Sequence, residues 1–237
     1  MRRRGAASGQ YLAEALSRTR RGRLAGRPAS LAPPRQGALT SRDQSLVGEG
    51  YPAIVKRAKA EKAVIYWGDE TGISNQDQIG RSWAPKGQTP IVRRTAKRAS
   101  KSLISAVSNR GLMRFMFYDG ALNVDLFIAF LRRLIKDAEQ KVFLIVDNLK
   151  VHHAKKVMTW VTSHAHEIEL FYLPSYAPDY NPDEFLNGDL KQKLRQKPQP
   201  GTKDELVEMT RTVMRAIQRS PQRIRSYFTP ATVKYAA

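Results

Sequence analysis

The sequence predicts a mixed α/β fold built around one central sheet, and three observations carry that prediction. Short apolar runs rich in β-branched and aromatic residues (VIYWG, VFLIV, IELFY) alternate with stretches whose apolar residues recur at helical spacing. Two further apolar runs, in KSLISAVSNRGLMRFMFYDG, are split by Asn109, Arg110 and Gly111, the residues of a short hairpin turn. The chain has 237 residues, 41% of them hydrophobic, which suffices for one sizeable core and excludes a wholly disordered chain.

The elements follow in order from Tyr51. PAIVKRAKAEKA reads as a basic helix, and VIYWG as a buried strand ending at Asp69. After the hairpin, NVDLFIAFLRRLIKDAEQ sets Val124, Phe127, Phe130, Leu131, Leu134 and Ile135 on one helical stripe, the mark of a core-facing helix. KVFLIVD is a continuous apolar strand ending at Asp147. A helix from about His153 to Ala165 turns Val157, Trp160 and Val161 inward, and IELFYLP is a further strand of the same buried kind.

Two capping boxes then announce two closing helices. Asn181-Pro182-Asp183-Glu184 opens one with Leu186, Leu190 and Leu194 at i, i+4 and i+8, and Thr202-Lys203-Asp204-Glu205 opens one with Leu206, Met209, Val213 and Ile217 on one side. No internal repeat is visible. A strand, a hairpin, a helix, a strand, a helix, a strand and then helices make a layered fold with helices flanking a sheet.

Composition narrows the function. With 41 Lys and Arg against 21 Asp and Glu, the formal charge is +20, which points to a polyanionic partner, most economically nucleic acid. The absence of cysteine excludes a disulfide framework, thiolate metal sites and a cysteine nucleophile. No apolar run approaches the roughly 18 residues needed to span a bilayer, so no membrane partner is expected. Residues 1–45 hold ten Arg and two acids but no Lys, and all 16 Lys lie from Lys56 onward. Residues 1–50 therefore read as a basic arm without a core, and residues 51–237 as the folded domain, itself basic. The arm admits three readings: a nucleic-acid-binding tail, an organelle transit peptide, or a segment with no selected function.

Three acids stand where chemistry is expected. Asp69 and Asp147 each follow a buried-type strand, at the rim where open α/β sheets place their sites; Asp is also a common strand-stopping residue. Glu184 sits at a helix start, where the helix dipole favours its ionised form and where it also suits a capping box. If the three converge, their mutual repulsion raises at least one pKa unless a hard cation neutralises it. Two such ions about 4 Å apart would activate a nucleophile and stabilise the leaving oxygen in displacement at phosphorus. Glycoside hydrolysis also uses paired acids but leaves the charge of +20 without a role.

Four segments, WGDETGIS (Trp67 to Ser74), GRSWAPKGQTP (Gly80 to Pro90), LIVDNLKVHHAKK (Leu144 to Lys156) and LPSYAPDYNPDEFLNGDLK (Leu173 to Lys191), together resemble the DDE transposases of bacterial insertion sequences in the mariner-like superfamily. The resemblance spans about Tyr51 to Lys197. It implies a ribonuclease-H-like catalytic fold with Asp69, Asp147 and Glu184 as metal-binding catalytic acids, two Mg2+ or Mn2+ ions, and double-stranded DNA, both transposon ends and target, as partner. It also implies pairing of subunits on DNA, insertion at a TA step, and action in a bacterial cytoplasm on the nucleoid. Asn148 and His152 match supporting positions, whereas Glu70 is expected to be structural.

Two departures stand out. Many relatives carry Trp three residues after the Glu, where this chain has Asn187, and relatives place helix-turn-helix units before the catalytic domain where this chain has the Arg-rich arm. A truncated or frameshifted copy would look this way. Lys191, Lys193, Arg195 and Lys197 are expected to touch the DNA backbone, while Arg211, Arg215 and Arg219, at i, i+4 and i+8, read equally as a solvated helix face. Two other outcomes fit the same residues: an idle DNA-binding remnant, or a ribonuclease-H-like nuclease acting on a hybrid or branched substrate.

Overall fold

Five strands make one sheet in the order β3-β2-β1-β4-β5. The computed structural model describes residues 50–77, 86, 97–136, 138–174 and 178–237. All but the last residue of the basic arm, and all of the GRSWAPKGQTP segment except Lys86, lie outside the described residues.

The chain enters through α1 (Tyr51–Ala60), which buries Tyr51, Ile54 and Ala58 at i, i+3 and i+7. Strand β1 (Val64–Ser74) follows and forms an antiparallel ladder with β2 (Ser100–Val107), from Trp67 opposite Val107 to Ser74 opposite Ser100. A tight turn leads to β3 (Met113–Tyr118), antiparallel to β2. The turn needs Gly111, whose φ is +85° and where a Cβ would come within 2.8 Å of Pro221. Helix α2 (Val124–Lys136) crosses one face to β4 (Val142–Val146), which runs parallel to β1. A 3₁₀ turn (Lys150–His153) and α3 (Lys155–Ser163) lead to β5 (Ile168–Tyr172), parallel to β4. Helices α4 (Pro182–Arg195), α5 (Lys203–Gln218) and α6 (Pro221–Ser226) close the chain.

Strand alternation sends successive side chains to two separate cores. Trp67, Leu103 and Phe143 pack with Leu186, Leu190, Val213, Met214 and Phe228 on the face covered by α4 to α6. Tyr66, Ile104 and Leu144 pack with Phe127, Phe130, Leu131 and Val157 on the face covered by α2 and α3. Each such side chain contributes about 1.5–3 kcal/mol through burial. No helix among the described residues is long and apolar enough to cross a membrane.

Three expectations change. Asp69 does not end its strand: β1 continues to Ser74, because β2 pairs with it for seven residues beyond Trp67, whereas β4 pairs only from Val64 to Trp67. IELFY is not a strand of the fully buried kind, since β5 lies at the sheet edge and buries only Ile168 completely. The C-terminal region adds a third helix, α6, started by Pro221 at a first-turn position.

Candidate active site

The site forms where β1 loses one neighbour. The parallel ladder between β1 and β4 ends at Trp67 and Ile145, and two residues further along each strand stand Asp69 and Asp147. Asp69 shares a face with Trp67; Glu70 points the other way, with Tyr66.

On the first face, α4 arrives end-on. Asn181 caps it, accepting from the Asp183 N–H at 3.0 Å, and its Nδ2 donates to the Gly68 carbonyl at 3.2 Å, fixing the helix start against β1. The Glu184 side chain therefore meets Asp69. Asp69 Oδ1 accepts the Glu70 N–H at 2.8 Å, and its Oδ2 accepts from Asn187 Nδ2 at 3.3 Å. Burial first, and then the facing Glu184 carboxylate, push Asp69 up to about 8.

Beneath this pair lies Asp183, fully buried, with Ser105 Oγ donating to its Oδ2 at 2.7 Å. Burial, then the charge of Asp69, hold the Asp183 carboxyl well above the usual carboxylate range. Asp183 Oδ1 and Asn187 Oδ1 are buried without a hydrogen-bond partner among the described residues. The inward stripe of α4, extended backwards from Leu186, Leu190 and Leu194, passes through Asp183 and Asn187. That spacing was the available signal for both, and the apolar reading of the helix hides it.

On the second face, Asp147 turns toward His152. Nδ1 of His152 lies 3.1 Å from Asp147 Oδ1 and 3.0 Å from its backbone oxygen, and Nε2 lies 3.2 Å from Glu70 Oε1. The ring is buried against Phe127, centroids 4.4 Å apart. Burial disfavours the imidazolium, but the bonds from Asp147 and Glu70 outweigh it and raise His152 to about 9. Glu70, Asp147 and His152 offer ligand atoms all within 4.8 Å of one another. Both nitrogens of His152 are engaged, Nδ1 by the Asp147 backbone oxygen and Nε2 by Glu70, and Asp147 Oδ1 is buried without a hydrogen-bond partner among the described residues. Asn148 bonds His153, whose ring stacks on Tyr172 at 4.1 Å, outside this cluster.

The structure thus brings Asp69 and Glu184 into contact, while Asp147, two residues past the last β1–β4 pair, groups with Glu70 and His152. Glu70 pairs with His152. Of the basic residues expected on this helix, Lys191 and Lys193 are half-buried and Arg195 is exposed, whereas the exposed Lys197 lies beyond the helix end at Arg195; Arg195 Nε donates to the Asp77 carbonyl at 3.2 Å. Carboxylate oxygens are the donors a hard divalent cation takes, and Asp69 and Glu184 are in direct like-charge conflict.

Comparison with known proteins bears on this geometry. Residues 64–207, more than half of the chain, match the DDE superfamily endonuclease family. No curated protein sequence matches. Among solved structures, the chain is similar to the Mos1 transposase paired-end complex with left transposon end (16% identity, TM-score 0.57, 90% of this chain and 68% of that one). It is also similar to a pre-cleavage Mos1 transpososome (15%, TM-score 0.59, 90% and 68%) and to the Mos1 transposase catalytic domain with Raltegravir and Mg (14%, TM-score 0.52, 85% and 98%). At these identities the likeness establishes a shared fold, the mixed five-stranded sheet flanked by helices of ribonuclease-H-like catalytic domains.

Proposed function

The chain belongs to the DDE superfamily of endonucleases, and from that premise we propose that it is a transposase catalytic domain that cleaves DNA strands and joins them to target DNA. One observation supports the reading: Asp69 on β1 and Glu184 at the start of α4 meet, just beyond the end of the β1–β4 ladder that Asp147 also follows. Asp69, Asp147 and Glu184 would hold two Mg2+ or Mn2+ ions, which supply activation of water or a 3′-hydroxyl and stabilisation of the leaving oxygen. Structures of Mos1 transposase have been solved with Mg and with Mn.

The remaining residues prepare those acids. Asn187 and the Glu70 N–H orient the Asp69 carboxylate, and His152 orients Asp147 while Glu70 fixes the histidine. Asn181 locks α4 onto β1 so that Glu184 faces the strand. Lys191, Lys193 and Arg195 on the same helix, and Lys197 just past its end, position a duplex by its phosphates. Transposon-end and target DNA are the partners, with subunits paired on DNA in a bacterial cytoplasm. Residues 51–237 constitute the catalytic domain, and the arm of residues 1–50 adds sequence-independent attraction to DNA.

The test is nicking of supercoiled plasmid by the full chain in Mg2+ or Mn2+. The wild-type protein nicks, and chelation or Asp147→Ala stops it. Salt-sensitive binding without nicking in either metal would overturn the catalytic reading and leave a DNA-binding remnant.

A further inference from the structure

The outer edge of the sheet carries a feature that the catalytic site does not use. Among the described residues, strand β3 pairs only with β2, and one side of it has no strand neighbour. Along that edge lies a groove of about 460 Å³ into which four arginines converge from three elements: Arg114 on β3, Arg133 on α2, and Arg211 and Arg215 on α5. Among the described residues, no carboxylate lines it.

Convergence of this kind has an electrostatic cost unless an anion is expected. Among the described residues, Arg114, Arg133 and Arg215 have no ion-pair partner, and Arg211 has only the exposed Glu208 at 2.5 Å. The groove is shaped as well as charged. The Arg211 guanidinium lies 5.7 Å from the Phe117 ring centroid, and Gln218 Nε2 donates to the Met113 carbonyl at 2.9 Å, which fixes α5 against the strand. Arg211 and Arg215 are one turn apart, about 6 Å along the helix axis, a spacing that lets each guanidinium meet a different phosphate. Cationic guards against strand pairing are commonly single lysines on the edge strand itself. Here the charges come from both flanking layers, and all are guanidiniums, whose planar fork suits phosphate oxygens.

We propose that this groove is a second DNA-binding site, which grips the phosphodiester backbone of a duplex away from the carboxylates. Phe115, at its centre, is in register with Ser105, and Ser105 with Asp69, so the groove lies two strands, about 10 Å, across the sheet from the site of chemistry. The proposal rests on the reading of the chain as a DNA-acting enzyme.

The test uses the full chain with a random-sequence duplex in chelator, so that nothing is cut. Replacing Arg114, Arg133, Arg211 and Arg215 together by Gln is expected to make the slope of log affinity against log salt shallower by roughly 3. Restoring all four as Lys recovers most of that slope. Because the chain has no cysteine, Arg215→Cys also places a unique thiol in the groove. It is expected to cross-link to DNA carrying a thiol-tethered phosphate several-fold better than Lys59→Cys, on exposed α1. An unchanged slope in the Gln variant, or equal cross-linking at the two positions, overturns the groove while leaving nicking intact. Loss of binding to polyglutamate but not to DNA overturns it in favour of an acidic peptide. Failure of the wild-type protein to bind DNA at all overturns the underlying functional reading instead.

Discussion

Two helices of this chain begin with nearly the same words and end up in different trades. Thr202-Lys203-Asp204-Glu205 closes as a capping motif: Thr202 Oγ1 accepts the Glu205 N–H at 3.2 Å, and Glu205 Oε2 reaches back to the Gly201 N–H at 2.7 Å. Asn181-Pro182-Asp183-Glu184 keeps only half of that arrangement. Asn181 caps, but among the described residues Glu184 has no return bond to the backbone before it and faces Asp69 instead. A glutamate that could have satisfied an orphan N–H is placed against another acid, at a cost to stability that a structural role does not explain.

The contrast can be broken most sharply through activity. Asp147→Asn and Glu184→Gln are expected to lower metal-dependent nicking by at least about 100-fold, more than loss of a mere supporting contact, while Glu205→Gln leaves it unchanged. Plasmid nicking by the three purified variants checks this. Because Glu184→Gln removes repulsion against Asp69, its melting temperature without metal should equal or exceed that of the wild-type protein.

A third acid on α4 supplies the structural counterpart. Burial opposes the charge of Asp189, but the two bonds from Arg223 at 2.7 and 2.6 Å, with the Tyr227 hydroxyl, hold its carboxylate below the usual range. Its contribution is therefore complete above the unfolded-state pKa of about 4 and is lost as pH falls through the lower folded value. Asp189→Asn should cost about 1–2 kcal/mol near pH 7, allowing for solvent at Arg223. In urea unfolding the gap from wild type should close toward acid.

The caps themselves give the smaller effects. Asn181→Ala should cost about 1–2 kcal/mol and also reduce nicking, since its second bond seats α4 on β1; Thr202→Ala should cost about 1 kcal/mol with no loss of nicking. Glu205→Gln is the mildest, near 0.5 kcal/mol, measurable as a small shift in the urea midpoint.

The sequence made the sheet and its helices legible because apolar period is a local property: VFLIV, the hairpin at Gly111 and the stripe of Phe127, Phe130, Leu131 and Leu134 each declare themselves within a few residues. Register and neighbour are not local. Nothing in VIYWGDE says that β2 continues beside Asp69 after β4 has stopped, so the strand looked shorter than it is. The acids at positions 69, 147 and 184 stood out by motif. Asp183 did not, because burial of a carboxyl under Ser105 is decided by a strand 78 residues away in sequence. The bond from Asn187 to Asp69 shows how the position departing from many relatives is used, with a side-chain amide in place of an indole.

The fork in the sheet has one more consequence. Asp69 and Glu70 are neighbours whose faces are assigned only by how β1 lies against β2, and the ladder that fixes this has eight pairs where the β1 to β4 ladder has four. Slipping that longer ladder by one residue would exchange the two acids, sending Glu70 toward α4 and Asp69 toward His152. A single-residue insertion within β1, between Val64 and Trp67, would thus disarm the protein without touching any acid. Heritable damage of that kind would leave every recognisable motif in place and silence the chain all the same.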